Sequence, residues 1–137
     1  MDLIERLFAE AAAARSQAYA PYSGFSVGAA ILGRSGAIYR GCNVENAAYP
    51  VGNCAEAGAI SAMVAAGERS IEAILVVGGG DALVTPCGGC RQRIREFAGP
   101  ETPIHIAGPA GWRTSFKLND LLPESFGPDN LAAPSGN

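Results

Sequence analysis

Three cysteines and their spacing are the strongest chemical signal in the sequence. Cys87 and Cys90 form a C-x-x-C motif at a predicted helix start, where positions i and i+3 share one helix face. Cys54 stands at the start of another predicted helix. If the two helix N-termini converge, three sulfurs meet at one point, and the helix dipoles favour their thiolate form. Three protein ligands leave one corner of a tetrahedral zinc open, so the pattern predicts a catalytic zinc site.

Glu56 lies two residues after Cys54, in the first turn of the same predicted helix. From that position its carboxylate can approach the open corner of the metal without ligating it. A carboxylate placed there can take a proton from water and pass it to a substrate. Glu56 is therefore the predicted catalytic residue.

The elements that must position these residues alternate along the chain. Their order is predicted from three patterns: Leu and Ala at helical spacing, runs of β-branched residues, and glycine-rich breaks between elements. The predicted helices cover 2–19, 54–67, 86–98 and 119–122, and the predicted strands cover 25–32, 37–41, 71–77, 103–107 and, more weakly, 113–117. Such alternation predicts an α/β/α sandwich in three layers. We expect one domain over 1–127 and a loose tail over 128–137.

Composition and charge exclude several functions. The chain has 137 residues, 10 Lys and Arg against 13 Asp and Glu, and a net charge of −3. That sign disfavours nucleic acid as a partner. Charged residues make up 17% of the chain, and this low share hints that part of the surface faces another subunit. The only histidine, His105, lies in a predicted strand with no nucleophile motif beside it, which argues against histidine-based catalysis.

The sequence carries no targeting signal that we can recognise. Asp2, Glu5 and Arg6 stand where a signal peptide would be apolar, and the longest strongly apolar run, 73–77, is too short to cross a membrane. We therefore expect a cytoplasmic protein without a membrane partner, in which cysteines serve as metal ligands more often than as disulfides.

The spacing also matches a known signature. C-x-E followed by P-C-x-x-C is the cysteine form of the zinc deaminase motif, and here it reads Cys54-Ala-Glu56 and Pro86-Cys-Gly-Gly-Cys90. With further segments, the chain resembles cytidine deaminases of the small, homotetrameric type over about 6–127. The segments that carry the resemblance are Tyr22-Ser-Gly-Phe-Ser-Val-Gly-Ala-Ala, Gly41-Cys-Asn-Val-Glu-Asn-Ala-Ala-Tyr49, Cys90-Arg-Gln and Leu121-Leu-Pro-Glu-Ser-Phe126.

The resemblance implies an activity and a set of roles. The activity would be hydrolytic deamination of cytidine and 2′-deoxycytidine in pyrimidine salvage, on a mixed five-stranded sheet. One zinc ion per subunit would be held by Cys54, Cys87 and Cys90, and Glu56 would move the proton to N3 of the ring and then to the leaving ammonia. The substrate-binding residues would be Phe25, Asn43, Glu45, Ala55, Thr85, Tyr49 and Phe126.

Each implied substrate contact has a specific partner. Asn43 and Glu45 would hold the ribose 3′-hydroxyl, and Phe25 would pack near the base. The Ala55 N–H would meet the pyrimidine O2, and the Thr85 carbonyl would receive the amino group. Phe126 and the segment 47–49, with Tyr49, would close the pocket of a neighbouring subunit.

One position departs from the family pattern. Many relatives carry Arg directly after C-x-E, where this chain has Ala57 and Gly58. Three thiolates give Zn²⁺ a net negative charge, which that Arg would offset by hydrogen bonding. We expect Arg91, beside Cys90, and the two helix dipoles to compensate.

Three alternatives stay open on the sequence alone. Cys87 and Cys90 also fit a thioredoxin-like redox site, although redox chemistry needs neither Cys54 nor Glu56. Cys42 as a fourth ligand would make a closed, structural zinc module. A blasticidin-type deaminase shares the C-x-E and P-C-x-x-C elements and would act on a modified cytosine nucleoside.

Overall fold

The sheet is mixed and five-stranded, as predicted, in a computed structural model that describes residues 1–131. The strands are β1 (Gly28–Gly33), β2 (Ile38–Cys42), β3 (Ile71–Val77), β4 (Pro103–Gly108) and β5 (Gly111–Lys117). Their spatial order is β2-β1-β3-β4-β5, and only β3 and β4 run parallel. Because β3 and β4 are parallel, a helix must cross between them, and α3 (Gly88–Phe97) does so.

The helices cover both faces of the sheet. The other helices are α1 (Leu3–Arg15), α2 (Ala55–Ala65), α4 (Leu118–Leu121) and α5 (Pro128–Leu131), with a 3₁₀ turn over Tyr49–Val51. Side chains of β3 alternate between the layers: Leu75 packs with α1, whereas Ile74 and Val76 pack with α2 and α3. This alternation gives two cores and confirms the three-layer sandwich.

Two glycines allow helices to lie directly on the sheet. A Cβ at Gly28 would lie 2.0 Å from the carbonyl oxygen of Ala11 in α1. At Gly41 it would lie 2.3 Å from the backbone nitrogen of Ala59 in α2. Any side chain at Gly41 would push α2 away from β2, and the start of α2 carries part of the candidate site.

The predicted boundaries differ from the structure where tertiary contacts replace local ones. Helix α1 ends at Arg15 instead of residue 19, because Tyr19 pairs with the 42–53 loop through bonds to the backbones of Asn43 and Glu45. Strand β1 begins at Gly28 instead of residue 25, because the side chain of Asn43 occupies the backbone groups of the preceding segment. Periodicity alone carries no information about either contact.

The C-terminal segment begins as ordered structure. The predicted tail starts at 128, where the short helix α5 lies, and Asp129 accepts a 2.6 Å ion-pair contact from Arg95 of α3. The remaining predicted tail, 132–137, lies outside the described residues. Within residues 1–131, no helix has the length and apolar content needed to cross a membrane.

Candidate active site

The sulfurs of Cys54, Cys87 and Cys90 come together at the N-termini of α2 and α3. All three Sγ atoms lie within 4.8 Å of one another. Cys54 is the N-cap residue of α2 and Cys87 that of α3, while Cys90 lies in the first turn of α3. The predicted convergence of the two helix starts is therefore present. Cys42 is not part of this sulfur group, which leaves three ligands and one free corner.

The donor set suits zinc. Zn–S bonds of about 2.3 Å place the thiolate sulfurs of a tetrahedral site about 4 Å apart, so three sulfurs within 4.8 Å of one another can share one ion. Burial raises the pKa of the Cys54 and Cys90 thiols. Burial also opposes ionisation of Cys87, but hydrogen bonds from the backbone and side chain of Cys90 outweigh it and lower the pKa of Cys87. A coordinated cation reverses the effect of burial, because a thiol that binds a metal loses its proton.

Glu56 is the one buried carboxylate side chain among the described residues, and it is only 4% exposed. Burial raises the pKa of its carboxyl above the ordinary value, and the positive charge of Arg93 is among the effects that oppose this shift. A buried carboxyl with a raised pKa can both hold and release a proton near neutral pH. A carboxyl group in this position has the chemistry that a proton shuttle needs.

The carboxylate and two of the sulfurs line a cavity of about 250 Å³. Its remaining walls are Phe25, Val27, Asn43, Ala55, Val84 and Thr85. Sequence reasoning did not identify the two valines, and no sequence signal distinguishes them from core residues. The N–H groups of the first helical turn have no intrahelical partner, so Ala55, as the first residue of α2, can offer its N–H to a ligand.

The side chain of Asn43 joins two parts of the chain that line this cavity, the 42–53 loop and the segment 25–27. Its Oδ1 accepts a hydrogen bond of 2.8 Å from the Val27 N–H, and its Nδ2 donates one of 2.8 Å to the Phe25 carbonyl. One amide hydrogen remains for a ligand. The side chain thus fixes the segment that carries Phe25 while still facing the cavity.

Glu45 and Tyr49 line a second cavity of about 290 Å³, together with Tyr22, Ser23, Asn46 and Gly52. Neighbouring residues of segment 22–27 line the two cavities, Tyr22 and Ser23 the second and Phe25 and Val27 the first. Phe126 lines neither cavity and is 58% exposed. The other predicted substrate-binding residues and Glu56 each line one of the two cavities.

Arg91 does not lie where we expected a thiolate partner. Its guanidinium donates to the Pro86 carbonyl at 2.7 Å, to the Leu121 carbonyl at 2.8 Å and to the Thr85 hydroxyl at 3.1 Å. It thereby fixes the loop that leads into Cys87. A different arginine, Arg93, reaches a sulfur, with its Nη1 3.7 Å from Cys90 Sγ. Its spacing of three residues from Cys90 on a helix could have indicated this contact.

His105 lies away from the site. It is buried in β4, its Nδ1 is 2.6 Å from the Ser115 hydroxyl, and burial lowers its pKa. It is not among the residues that line either cavity, which agrees with its interpretation as a strand histidine.

Comparison with known proteins identifies the family. The family model described as the cytidine and deoxycytidylate deaminase zinc-binding region matches residues 1–106. The chain belongs to the cytidine and deoxycytidylate deaminase family. A cytidine deaminase of Sporosarcina psychrophila is 44% identical over 129 residues, which cover 94% of this chain and 95% of that protein. One of Mycobacterium tuberculosis is 41% identical over 119 residues, covering 86% and 85%.

Solved structures agree with the deaminase family. The crystal structure of cytidine deaminase from Burkholderia pseudomallei has a TM-score of 0.84 and 42% sequence identity, covering 92% of this chain and all of that one. The cytidine deaminase of Bacillus anthracis has a TM-score of 0.73 at 20% identity, which shows the shared fold only.

Proposed function

We propose that this protein is a zinc-dependent cytidine deaminase that converts cytidine and 2′-deoxycytidine to the corresponding uridines and ammonia. The observation that carries the proposal is the buried carboxylate of Glu56 in one cavity with two members of a three-sulfur group. The cavity volume of about 250 Å³ is suited to a single pyrimidine ring. Family membership supports the same reaction.

The residues divide the chemistry in a simple way. Cys54, Cys87 and Cys90 would hold the zinc ion, which supplies the Lewis acidity needed to make water a nucleophile at neutral pH. Glu56 would take a proton from the attacking water and deliver it to N3, so that C4 becomes electrophilic. A C–O bond would form at C4, Glu56 would carry the remaining proton from the new hydroxyl group to the amino nitrogen, and the C4–N bond would break to release ammonia.

Recognition of the nucleoside would come from the cavity walls. The Ala55 N–H would bind O2 of the base, the Thr85 carbonyl would accept from the amino group, and Phe25 would pack on the ring. Asn43 and Glu45 would bind the ribose 3′-hydroxyl. Because Glu45 already carries a negative charge at this end of the site, a free nucleoside fits better there than a phosphorylated one.

We further propose that the active form is a homotetramer in which neighbours complete the pockets. Supporting this, large apolar side chains remain exposed beside the second cavity, with Tyr49 74% and Val51 66% exposed, and Phe126 lies outside its own pocket. Light scattering tests the assembly: we expect four times the 14.0 kDa chain mass, and an active monomer would contradict it.

The decisive experiment measures deamination by ultraviolet absorbance with cytidine, deoxycytidine and blasticidin S as substrates. Glu56→Gln should lower kcat about 10²–10⁴-fold, the range for loss of a positioned acid or base, while the zinc content stays that of the wild type. Glu72→Gln, an exposed carboxylate on β3, is the matched control and should leave kcat unchanged.

Three results would count against the proposal. Wild-type protein without turnover of either simple nucleoside would overturn the function. Turnover of blasticidin S alone would favour the antibiotic deaminase. Full activity of Glu56→Gln would overturn the mechanism.

A further inference from the structure

Arg93 in the second turn of α3 places a cation against the metal-binding sulfurs. Its Nη1 donates to Cys90 Sγ at 3.7 Å. The same atom lies over the backbone of Gly89, where an added Cβ would be 3.2 Å away. The guanidinium thus lies against the second half of the C-x-x-C turn.

Arg93 forms no ion pair within residues 1–131. The ion pairs of that part of the chain involve Arg40, Arg95 and Lys117, and none involves Arg93. Arg95, two residues further along α3, pairs with Asp129 at 2.6 Å. A long cationic side chain usually satisfies its donors with carboxylates or water, so an ordered contact to a cysteine sulfur points to a role at that sulfur.

The uncharged residue at position 57 gives a cation on α3 a purpose at the metal site. Three thiolates leave bound Zn²⁺ with a net negative charge, which weakens its Lewis acidity. Ala57, directly after Glu56, is 8% exposed and has no charge to offer. Ala57 and Arg93 both line a groove of about 480 Å³ that also includes residues of α2 and α3. Position 57, on the α2 wall of the groove, carries no cation, whereas Arg93 places one on the α3 wall.

We propose that Arg93 is a positioning residue that offsets the negative charge of the three-thiolate metal site from α3, in place of a cation at position 57. The inference rests on the zinc-binding role proposed above for the three cysteines. Arg93 is not among the residues that line the catalytic cavity, so it acts on the reaction through Cys90 and not by touching the nucleoside. The effect of its charge on the Glu56 carboxyl agrees with this placement.

The test measures metal binding directly. Zinc dissociation constants are determined by chelator competition for wild type, Arg93→Gln, Arg93→Lys and the double variant Ala57→Arg/Arg93→Gln. The thiolate-to-metal charge-transfer band of the cobalt-substituted proteins is recorded in parallel. Removal of an outer-shell partner commonly weakens metal binding about 10–100-fold, so Arg93→Gln should fall in that range and shift the cobalt band.

Restored charge should restore the site. Arg93→Lys should recover part of the metal affinity, and the double variant should recover it from the opposite wall, because the groove leaves room for a longer side chain at 57. Arg95→Gln, which removes a charge from the same helix away from the sulfurs, is the matched control for metal affinity and cobalt spectrum. The metal affinity and the cobalt spectrum of Arg95→Gln should both match those of the wild type.

The outcomes separate this inference from the proposed function. Wild type that binds no zinc would overturn the function itself. Wild-type zinc affinity and cobalt spectrum in Arg93→Gln would overturn the role of Arg93 alone. Zinc binding could instead stay weak in Arg93→Lys and in the double variant, with all three variants losing thermal stability equally. That result would show that Arg93 has a merely structural role, and it would also overturn the inference.

Discussion

In two regions of the molecule a glutamate carboxylate, that of Glu45 or that of Glu68, closes a turn by accepting hydrogen bonds from a serine N–H and hydroxyl. We call each of these arrangements a turn clamp. Glu45 accepts hydrogen bonds from the Tyr22 N–H at 2.9 Å, the Ser23 N–H at 3.1 Å and the Ser23 hydroxyl. Glu68 accepts from the Ser35 N–H at 2.9 Å, the Ser35 hydroxyl at 2.6 Å and a tyrosine hydroxyl. In both cases the serine hydroxyl is the main cause of a lowered carboxyl pKa.

Their surroundings differ. Glu68 closes the β1–β2 hairpin, where Tyr39 supplies its third donor, and it lines neither cavity of the site. Glu45 closes the turn that leads to Phe25 and faces the 290 Å³ cavity. A carboxylate has about four lone-pair positions, so Glu45 keeps one for a ligand. Similar local hydrogen bonding therefore lines a cavity in one region and only closes a hairpin in the other, because the fold places the two carboxylates differently.

The largest expected effect is a difference in KM between variants of the two clamp carboxylates. Glu45→Gln should raise KM for cytidine about 10–100-fold, the consequence of losing a hydrogen bond to a charged acceptor. Glu68→Gln, its matched control, should lower the melting temperature and leave KM unchanged. Steady-state kinetics with thermal unfolding of both variants measures the difference. Equal KM values in the two variants would remove any functional distinction between the clamps.

A smaller effect is expected from Asn43→Ala, which tests whether the segment that carries Phe25 needs this side chain for stability. The change leaves the Val27 N–H and the Phe25 carbonyl without their side-chain partner. The free energy of unfolding should fall by about 0.5–1.5 kcal/mol, the net contribution of an ordinary hydrogen bond that water can partly replace. Urea denaturation measures it, with Asn119→Ala in the exposed first turn of α4 as the control. If both variants are as stable as the wild type, Asn43 serves the ligand alone.

The smallest effect concerns pH, where the two clamps should behave alike. Both carboxyls have pKa values below their ordinary range in the folded protein, so their ionised forms stabilise it. This stability is present above the ordinary glutamate pKa of about 4.3 and is lost as pH falls through the folded values. Urea denaturation between pH 7 and pH 3 should therefore show less acid destabilisation for Glu45→Gln/Glu68→Gln than for wild type. Identical pH profiles would contradict the clamps' shared electrostatics.

Much of the catalytic end could be predicted from the sequence, because its residues come in short, fixed spacings. Cys87 and Cys90 share a helix face by geometry alone, and Glu56 follows Cys54 within one helical turn. The sheet and helices followed from periodicity, with errors where Tyr19 and Asn43 make long-range contacts. The contact of Arg93 with Cys90 joins residues three apart on α3 and was open to prediction. The partners of Arg91 could not be assigned, since its side chain reaches the Leu121 carbonyl, whose position is set by the packing of another element.

The amino-acid sequence by itself determined the group of three cysteines, the carboxylate beside it and the layered fold, because each depends on local spacing and hydrophobic period. Only the tertiary structure decided that Glu45, and not Glu68, faces the second cavity, and that Arg91 reaches the Leu121 carbonyl instead of a sulfur. Both outcomes depend on where α3 and the 42–53 loop lie on the sheet. That placement depends on close contacts such as the one between Gly41 and α2, which join residues distant in the chain.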